Sequence, residues 1–268
     1  VDAPEMRDAR FFPDASLNIV DTIMNRDDDT PALLFAREDG ERAVTTWHEL
    51  RVQVSAAARA LLGAGVREGD VVAAGSPNIS PAYGMSLAAA TIGAIYTSTS
   101  PDFGASGVLD RFGQVEPKVL VAADGYVYGG QSHDCLERLR QIRAGLPTVR
   151  RVVVVPYLAD KPDVDGIDDA VSWDEFLRSG GTESLTPKRL PFDTPLYILY
   201  SSGTTGVPKC IVHRAGGILL TLLKEHQLHC DIKPGDRVFY FTTTGWMMWN
   251  WLAGALASQA TLVVYDRS

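Results

Sequence analysis

The segment Tyr200-Ser-Ser-Gly-Thr-Thr-Gly-Val-Pro-Lys209 follows an apolar run, Leu196–Tyr200. Between 201 and 209 it gathers four hydroxyl side chains (Ser201, Ser202, Thr204, Thr205), two glycines (Gly203, Gly206) and Lys209. Glycines let backbone N–H groups turn together toward an anion. Ser and Thr hydroxyls add donors, and a lysine ammonium is a mobile point charge for phosphate oxygens. These are the parts of a polyphosphate cradle. The pattern is not G-x-x-x-x-G-K-[ST]: Gly203 and Gly206 are three apart, Lys209 follows Pro208, and Cys210 comes next. A plain Gly/Ser/Thr turn between two strands is the competing account of the same composition.

A second feature is apolar: Thr242-Thr-Thr-Gly-Trp-Met-Met-Trp-Asn-Trp251. Methionine adapts its shape, and Asn250 sets one amide among apolar neighbours. Such a wall suits a short acyl chain with a hydrogen-bonded ketone. The alternative is a buried amphipathic helix with Trp246, Trp249 and Leu252 in the core. His226 and His229 lie three apart next to Cys230, which reads as a surface helix rather than a metal site, since no second ligand pair accompanies them. His213 is as well explained as a strand-end residue as by the phosphates. Asp110 and Arg111 read as partners of other charges, and Cys210 as a small buried side chain.

The elements that position these residues follow from pattern. Thr46-Trp-His-Glu49 fits a capping box, and Leu50, Val54, Ala57, Ala58 and Leu61 continue at helical spacing up to Gly63 and Gly65. Strands are expected at 32–36, 71–74, 94–98, 118–123 and 151–155, with helices at 81–92, 104–115 and 134–144. The run Arg151–Val155 is β-branched without a break, as in a strand buried on both faces. Residues 1–45 otherwise read as irregular, and 156–195 as a surface-lying connection with one short helix at 173–178. A second alternating run follows: strand 196–200, polar loop, strand 211–213, helix 217–229, strand 238–242, helix 246–256, strand 261–265. Alternation of this kind predicts an α/β fold.

Of the 268 residues 46% are hydrophobic and 22% charged, with a formal net charge of -8. That allows a sizeable core. The lack of a Lys/Arg block argues against a nucleic-acid surface. Cys135, Cys210 and Cys230 are odd in number and form no CxxC pair, which suits free thiols in a cytoplasmic setting. The first residues lack the apolar core of a signal peptide, and the apolar stretches 85–96 and 246–257 are short for a membrane span.

The Ser201–Lys209 string resembles the signature of the adenylate-forming superfamily of acyl-CoA synthetases, luciferases and peptide-synthetase adenylation domains. The resemblance covers most of the chain. Ser98-Thr-Ser-Pro-Asp-Phe-Gly104, Leu109–Lys118, Lys209–Gly217, Leu223–His226 and Thr242–Trp251 are similar to its acetoacetyl-CoA synthetase branch. It implies an α/β fold of mixed, mostly parallel sheets flanked by helices, forming an incomplete N-terminal domain. A first subdomain would span about 46–156, a connecting region 157–195 and a phosphate-loop subdomain 196–268, with the C-terminal lid absent. It implies ATP phosphate binding by Ser201, Ser202, Gly203, Thr204, Thr205, Gly206 and Lys209, with Lys209 catalytic. It also implies an acyl pocket at Trp246, Met247, Met248, Trp249 and Asn250, and no protein metal site. The substrates implied are acetoacetate or another short acid, ATP with Mg²⁺, and CoA. Relatives carry arginines for the CoA phosphate after the 119–122 strand. Gly125–His133 holds neither Arg nor Lys, so Tyr126, Gln131 and His133 are the candidates there. Residues 1–268 alone are expected to be inactive without the missing C-terminal domain. Two alternatives stand beside this reading: another short-chain acyl-CoA synthetase or adenylation domain, and a truncated, non-catalytic binding module.

Overall fold

The computed structural model describes residue 5 and residues 9–201 and 206–266. The chain opens with β1 (Ser16–Leu17), α1 (Ile19–Ile23), β2 (Pro31–Arg37) and β3 (Arg42–Thr46). α2 (Trp47–Gly63) leads into β4 (Val71–Gly75), α3 (Ser80–Ile92), β5 (Ile95–Thr99), α4 (Ala105–Phe112) and β6 (Val119–Ala123). Next come β7 (Gly125–Tyr128), β8 (Gln131–Asp134), α5 (Leu136–Ala144), β9 (Arg151–Val155), β10 (Ala170–Ser172) and α6 (Trp173–Gly180). The remainder is β11 (Leu190–Pro191), β12 (Pro195–Ser201), β13 (Lys209–Arg214), α7 (Ala215–Leu223), a π-helical turn Lys224–His229, β14 (Arg237–Phe239), α8 (Met247–Gly254), a 3-10 turn Ala255–Ser258 and β15 (Thr261–Asp266).

A seven-stranded sheet in the order β10-β9-β6-β4-β5-β12-β13 forms the main layer. All its neighbours are parallel except the hairpin β12–β13. A four-stranded sheet, β14-β15-β2-β3, is parallel except for β2–β3. Mixed, mostly parallel sheets flanked by helices are therefore the observed architecture.

The central strands show why an unbroken apolar run suits a sheet covered on both sides. Side chains alternate faces along a strand. Val72, Val119, Val121, Val153 and Val155 enter one core with Trp47, Leu61, Tyr83 and Met85. Ala73, Leu120, Val152 and Val154 enter a second core with Phe112, Leu139 and Ile142. The capping box forms as the sequence predicts: Thr46 accepts from the Glu49 amide, and the Glu49 carboxylate accepts from the Thr46 amide. α6 crosses α2 so closely that a Cβ on Gly180 would lie 1.9 Å from the Ala56 carbonyl oxygen.

Several local expectations are corrected. Residues 1–45 contain β1, α1 and most of β3 besides β2. α1 starts at Asn18, whose side chain accepts from the Val20 amide and donates to the carbonyls of Ala90 and Lys188, both at 2.9 Å. Residues 125–134 form a hairpin, with Gly129 and Gly130 at φ +57° and +75° in the turn. The helix expected over 217–229 is α-helical to Leu223 and then widens into a π turn. That widening buries His226 completely and leaves His229 exposed, so the surface-helix expectation fails for His226. The strand expected to reach 242 ends at Phe239.

Candidate active site

Gly75, Thr99, Ala123 and Ser201 end four adjacent strands of the main sheet at their carboxyl edge. In open α/β sheets that edge is where ligands bind. The hairpin β12–β13 holds the two ends of the hydroxyl-rich loop together: Ser201 faces Lys209, and Tyr200 faces Cys210. Ser202, Gly203, Thr204 and Thr205 lie outside the described residues. Gly206 has φ +106°, a conformation that L side chains rarely adopt. The turn after α4 steadies the loop exit through Gln114, whose side-chain amide donates to the Pro208 carbonyl at 2.9 Å. Lys209 is exposed, and among the described residues it has no ion-pair partner. His213 stacks on Tyr197 at 5.0 Å, and half-burial lowers its pKa. It stands four residues along β13 from Lys209, about 13 Å at strand rise. Arg111 makes no ion pair among the described residues; it lies over the rings of Phe103 and Tyr200, at 4.5 and 5.9 Å.

The Thr242–Asn250 stretch is fastened to the same strand ends. Ser98 Oγ donates to the Thr244 carbonyl at 2.6 Å, and Thr244 Oγ1 lies 2.7 Å from the Ser76 carbonyl oxygen and 3.1 Å from that of Thr99. A Cβ on Gly245 would lie 3.0 Å from the Ser100 nitrogen, tighter than an ordinary contact, so glycine lets the loop settle this closely without a shift. One turn on, Trp249 Nε1 donates to Asn78 Oδ1 at 3.0 Å, and the Tyr83 hydroxyl donates to the same oxygen at 3.0 Å.

This docking divides the candidate acyl-wall residues. Trp246 and Met247 are 68% and 54% exposed and Met248 is half-buried, whereas Trp249 and Asn250 are only 1% and 8% exposed. The core alternative thus describes Trp249 and Leu252 but not Trp246.

Asn78 also ties the site to the second sheet, its backbone N–H donating to Asp266 Oδ1 at 3.0 Å. Tyr157 donates its hydroxyl to Asp266 Oδ2. Burial raises the Asp266 pKa above its ordinary 3.8, outweighing these hydrogen bonds. The folded protein therefore keeps this proton to higher pH than the unfolded chain does. The stability contribution is complete below about pH 3.8 and is lost as pH rises through the raised value. Asp266→Asn is expected to flatten that fall, so Tm of the variant should gain on the parent as pH rises from 4. Parallel Tm–pH curves would refute it.

On the hairpin β7–β8, Tyr126 stacks on His133 at 4.7 Å, with Gln131 and His133 exposed. Arg138 of α5 lies 5.9 Å from the Tyr126 ring and donates through Nη2 to Cys135 Sγ at 2.7 Å and to the Pro101 carbonyl. The sequence reading also missed Thr99, Ser100 and Thr243, whose buried hydroxyls have no partner among the described residues. Their run of small hydroxyl residues at a strand end was the available signal. Among the described residues no group of three His, Cys, Asp or Glu could hold a metal ion. No helix of the described residues is long and apolar enough to cross a membrane.

A mostly parallel sheet with helices on both faces, and with the ends of a Gly/Ser/Thr loop and the start of an apolar helix at its carboxyl edge, defines an α/β protein with a ligand-binding edge. The chain belongs to the AMP-binding enzyme family, whose model matches residues 20–268. It is 49% identical over 274 residues to acetoacetyl-coenzyme A synthetase of Rhizobium meliloti (strain 1021), covering 100% of this chain and 41% of that protein. It is 46% identical over 274 residues to acetoacetyl-CoA synthetase of Mus musculus, covering 100% of this chain and 40% of that one. The solved acetoacetyl-CoA synthetase from Streptomyces lividans superposes with a TM-score of 0.91 at 46% identity, over 98% of this chain and 40% of that chain. The chain thus spans about two-fifths of the length of the relatives it matches.

Proposed function

We propose that this chain supplies the phosphate loop and one acyl-pocket wall of an acid–thiol ligase. The enzyme activates acetoacetate with ATP and passes it to CoA, releasing AMP and pyrophosphate. The observation that carries the reading is the convergence of the Ser201–Lys209 hairpin loop and the docked Thr244–Asn250 wall at one carboxyl edge of the sheet. The names of the relatives give the substrate.

In the first step the acid's carboxylate oxygen bonds to the α-phosphorus and the bond to the pyrophosphate oxygen breaks, giving acyl-adenylate. In the second, the CoA sulfur bonds to the acyl carbon and AMP leaves. Catalysis of the first step rests on placing anions together and offsetting their charge. Residues 201–206 and Lys209 do this for the β- and γ-phosphates. Mg²⁺ enters as the counter-ion carried by the triphosphate. Met247 and Met248, with Trp246, Trp249 and Asn250, line the acyl side. Tyr126, Gln131 and His133, backed by Arg138, receive CoA. Residues 1–268 in isolation are proposed to be inactive.

The test is pyrophosphate release by the protein as its gene encodes it, with ATP, CoA and either acetoacetate, acetate, propionate or butyrate. A preference for acetoacetate is expected. Preference for another acid would replace the substrate and keep the class; absence of turnover and of ATP binding would favour a non-catalytic module.

A further inference from the structure

Behind α8 lies a histidine sealed from water. His226 is 0% exposed, and neither ring nitrogen has a hydrogen-bond partner of normal geometry among the described residues. It sits in the π-helical turn Lys224–His229, where the Cys230 amide donates to the Glu225 carbonyl five residues back at 2.9 Å. Such widened turns are rare and are common at functional places. The His226 carbonyl accepts from the Ile232 amide at 2.8 Å, which fixes the backbone beneath the ring. The imidazole meets the Trp251 ring of α8 edge-on, with centroids 4.5 Å apart. Buried polar groups are nearly always bonded, and a phenylalanine ring would fill this place without stranding a nitrogen. What imidazole adds is a proton site that titrates near neutrality.

The surroundings offer a proton little support. α7, α8 and the Ala255–Ser258 turn, which pack on the π turn, carry no acidic or basic side chain. Tyr240 meets the Trp251 ring edge-on at 5.9 Å. On the turn itself Glu225 is paired with Lys224 at 2.8 Å, and His229 and Cys230 are exposed. Beyond it Asp231 is taken by the Lys233 side chain, and Asp236 accepts from the Lys233 amide. Burial lowers the His226 pKa below its ordinary 6.5, outweighing the nearby Trp251 backbone and Glu225, which favour the charged ring. We propose that His226 is a pH-sensitive latch: its neutral ring holds α8 against the π turn, and a protonated ring leaves for water and frees α8. The latch is fully closed above about pH 6.5, the unfolded value, and loses stability as pH falls toward the lowered one. Trp251 stands one turn along α8 from Met247, so acid would also loosen the acyl wall. That consequence rests on the acyl-ligase reading above; the latch does not.

The test is hydrogen exchange of residues 246–256 in the protein as its gene encodes it, corrected for the intrinsic pH dependence of exchange. Opening of this segment is expected to rise about fivefold or more between about pH 7.5 and pH 5.5, because one proton is taken up on opening. His226→Phe should abolish the rise, and His229→Gln, on the same turn but exposed, should keep it. If the phenylalanine does not fold, His226→Leu answers the same question. A change in the parent below twofold, or a rise that persists in the His226 variant, would overturn the latch. In parallel, KM for the acid should climb with acid in the parent and not in His226→Phe. If exchange responds and KM does not, the latch stands and its link to the acyl wall fails.

Discussion

Lys209→Ala is expected to lower ATP-dependent pyrophosphate release about 10- to 100-fold, with most of the loss in kcat/KM for ATP. Lys209 opens β13 directly across from Ser201, so it stands at one foot of the hydroxyl-rich loop. Its charge is exposed and has no ion-pair partner among the described residues, leaving it free for an incoming phosphate. A hydrogen bond to a charged group contributes about 1.5–3 kcal/mol, and each ~1.4 kcal/mol is tenfold in rate. Removing an exposed side chain should leave Tm within about 1 °C, since surface changes stay within about ±0.5 kcal/mol. Lys209→Arg should recover part of the loss: it keeps the charge but replaces a compact ammonium with a planar fork. Unaltered ATP kinetics in Lys209→Ala would remove the lysine from the phosphate site.

The largest stability effect is expected at Trp249. Its side chain is 1% exposed, packs 4.8 Å from the Tyr83 ring and 6.0 Å from Tyr96, and bonds Asn78 through Nε1. Trp249→Ala should destabilise by about 3–5 kcal/mol from lost packing and the cavity left behind. Trp249→Phe keeps much of the ring and loses the indole N–H bond, so the smaller part, about 0.5–1.5 kcal/mol, should remain. Urea denaturation of the two variants separates these contributions. Equal losses would show that the Asn78 bond, rather than packing, holds α8. Because α8 carries Met247 and Met248, Trp249→Phe should also raise KM for the acid if the reading of the acyl wall is right.

Much of this molecule was legible from local pattern, because the deciding interactions are short-range. The Thr46–Glu49 capping box joins residues three apart and forms as read. The β-branched run Val152–Val155 needs only its own side chains to demand a sheet covered on both faces. The hydroxyls, glycines and lysine between 201 and 209 have the composition expected of an anion loop, and residues 202–205 lie outside the described structure. The polar edge strand β3 was missed because it has no apolar alternation, and α1 because its apolar face of Ile19, Val20 and Ile23 spans only five residues.

What the sequence by itself determined is the α/β class and the main alternation of strands and helices, since side-chain periodicity and backbone propensity act over a few residues. The tertiary structure alone decided which side chains share a site. Asn78 meets Trp249 across 171 positions and Asp266 across 188. Ser98 meets the Thr244 carbonyl across 146 positions. A widened turn sends His226 inward and His229 outward. The docking of Thr244 on Ser76 and Thr99 turns one end of α8 to solvent and sets Asn250 against a cavity. Each of these depends on long-range packing and on hydrogen bonds between distant strand ends, which no local pattern encodes.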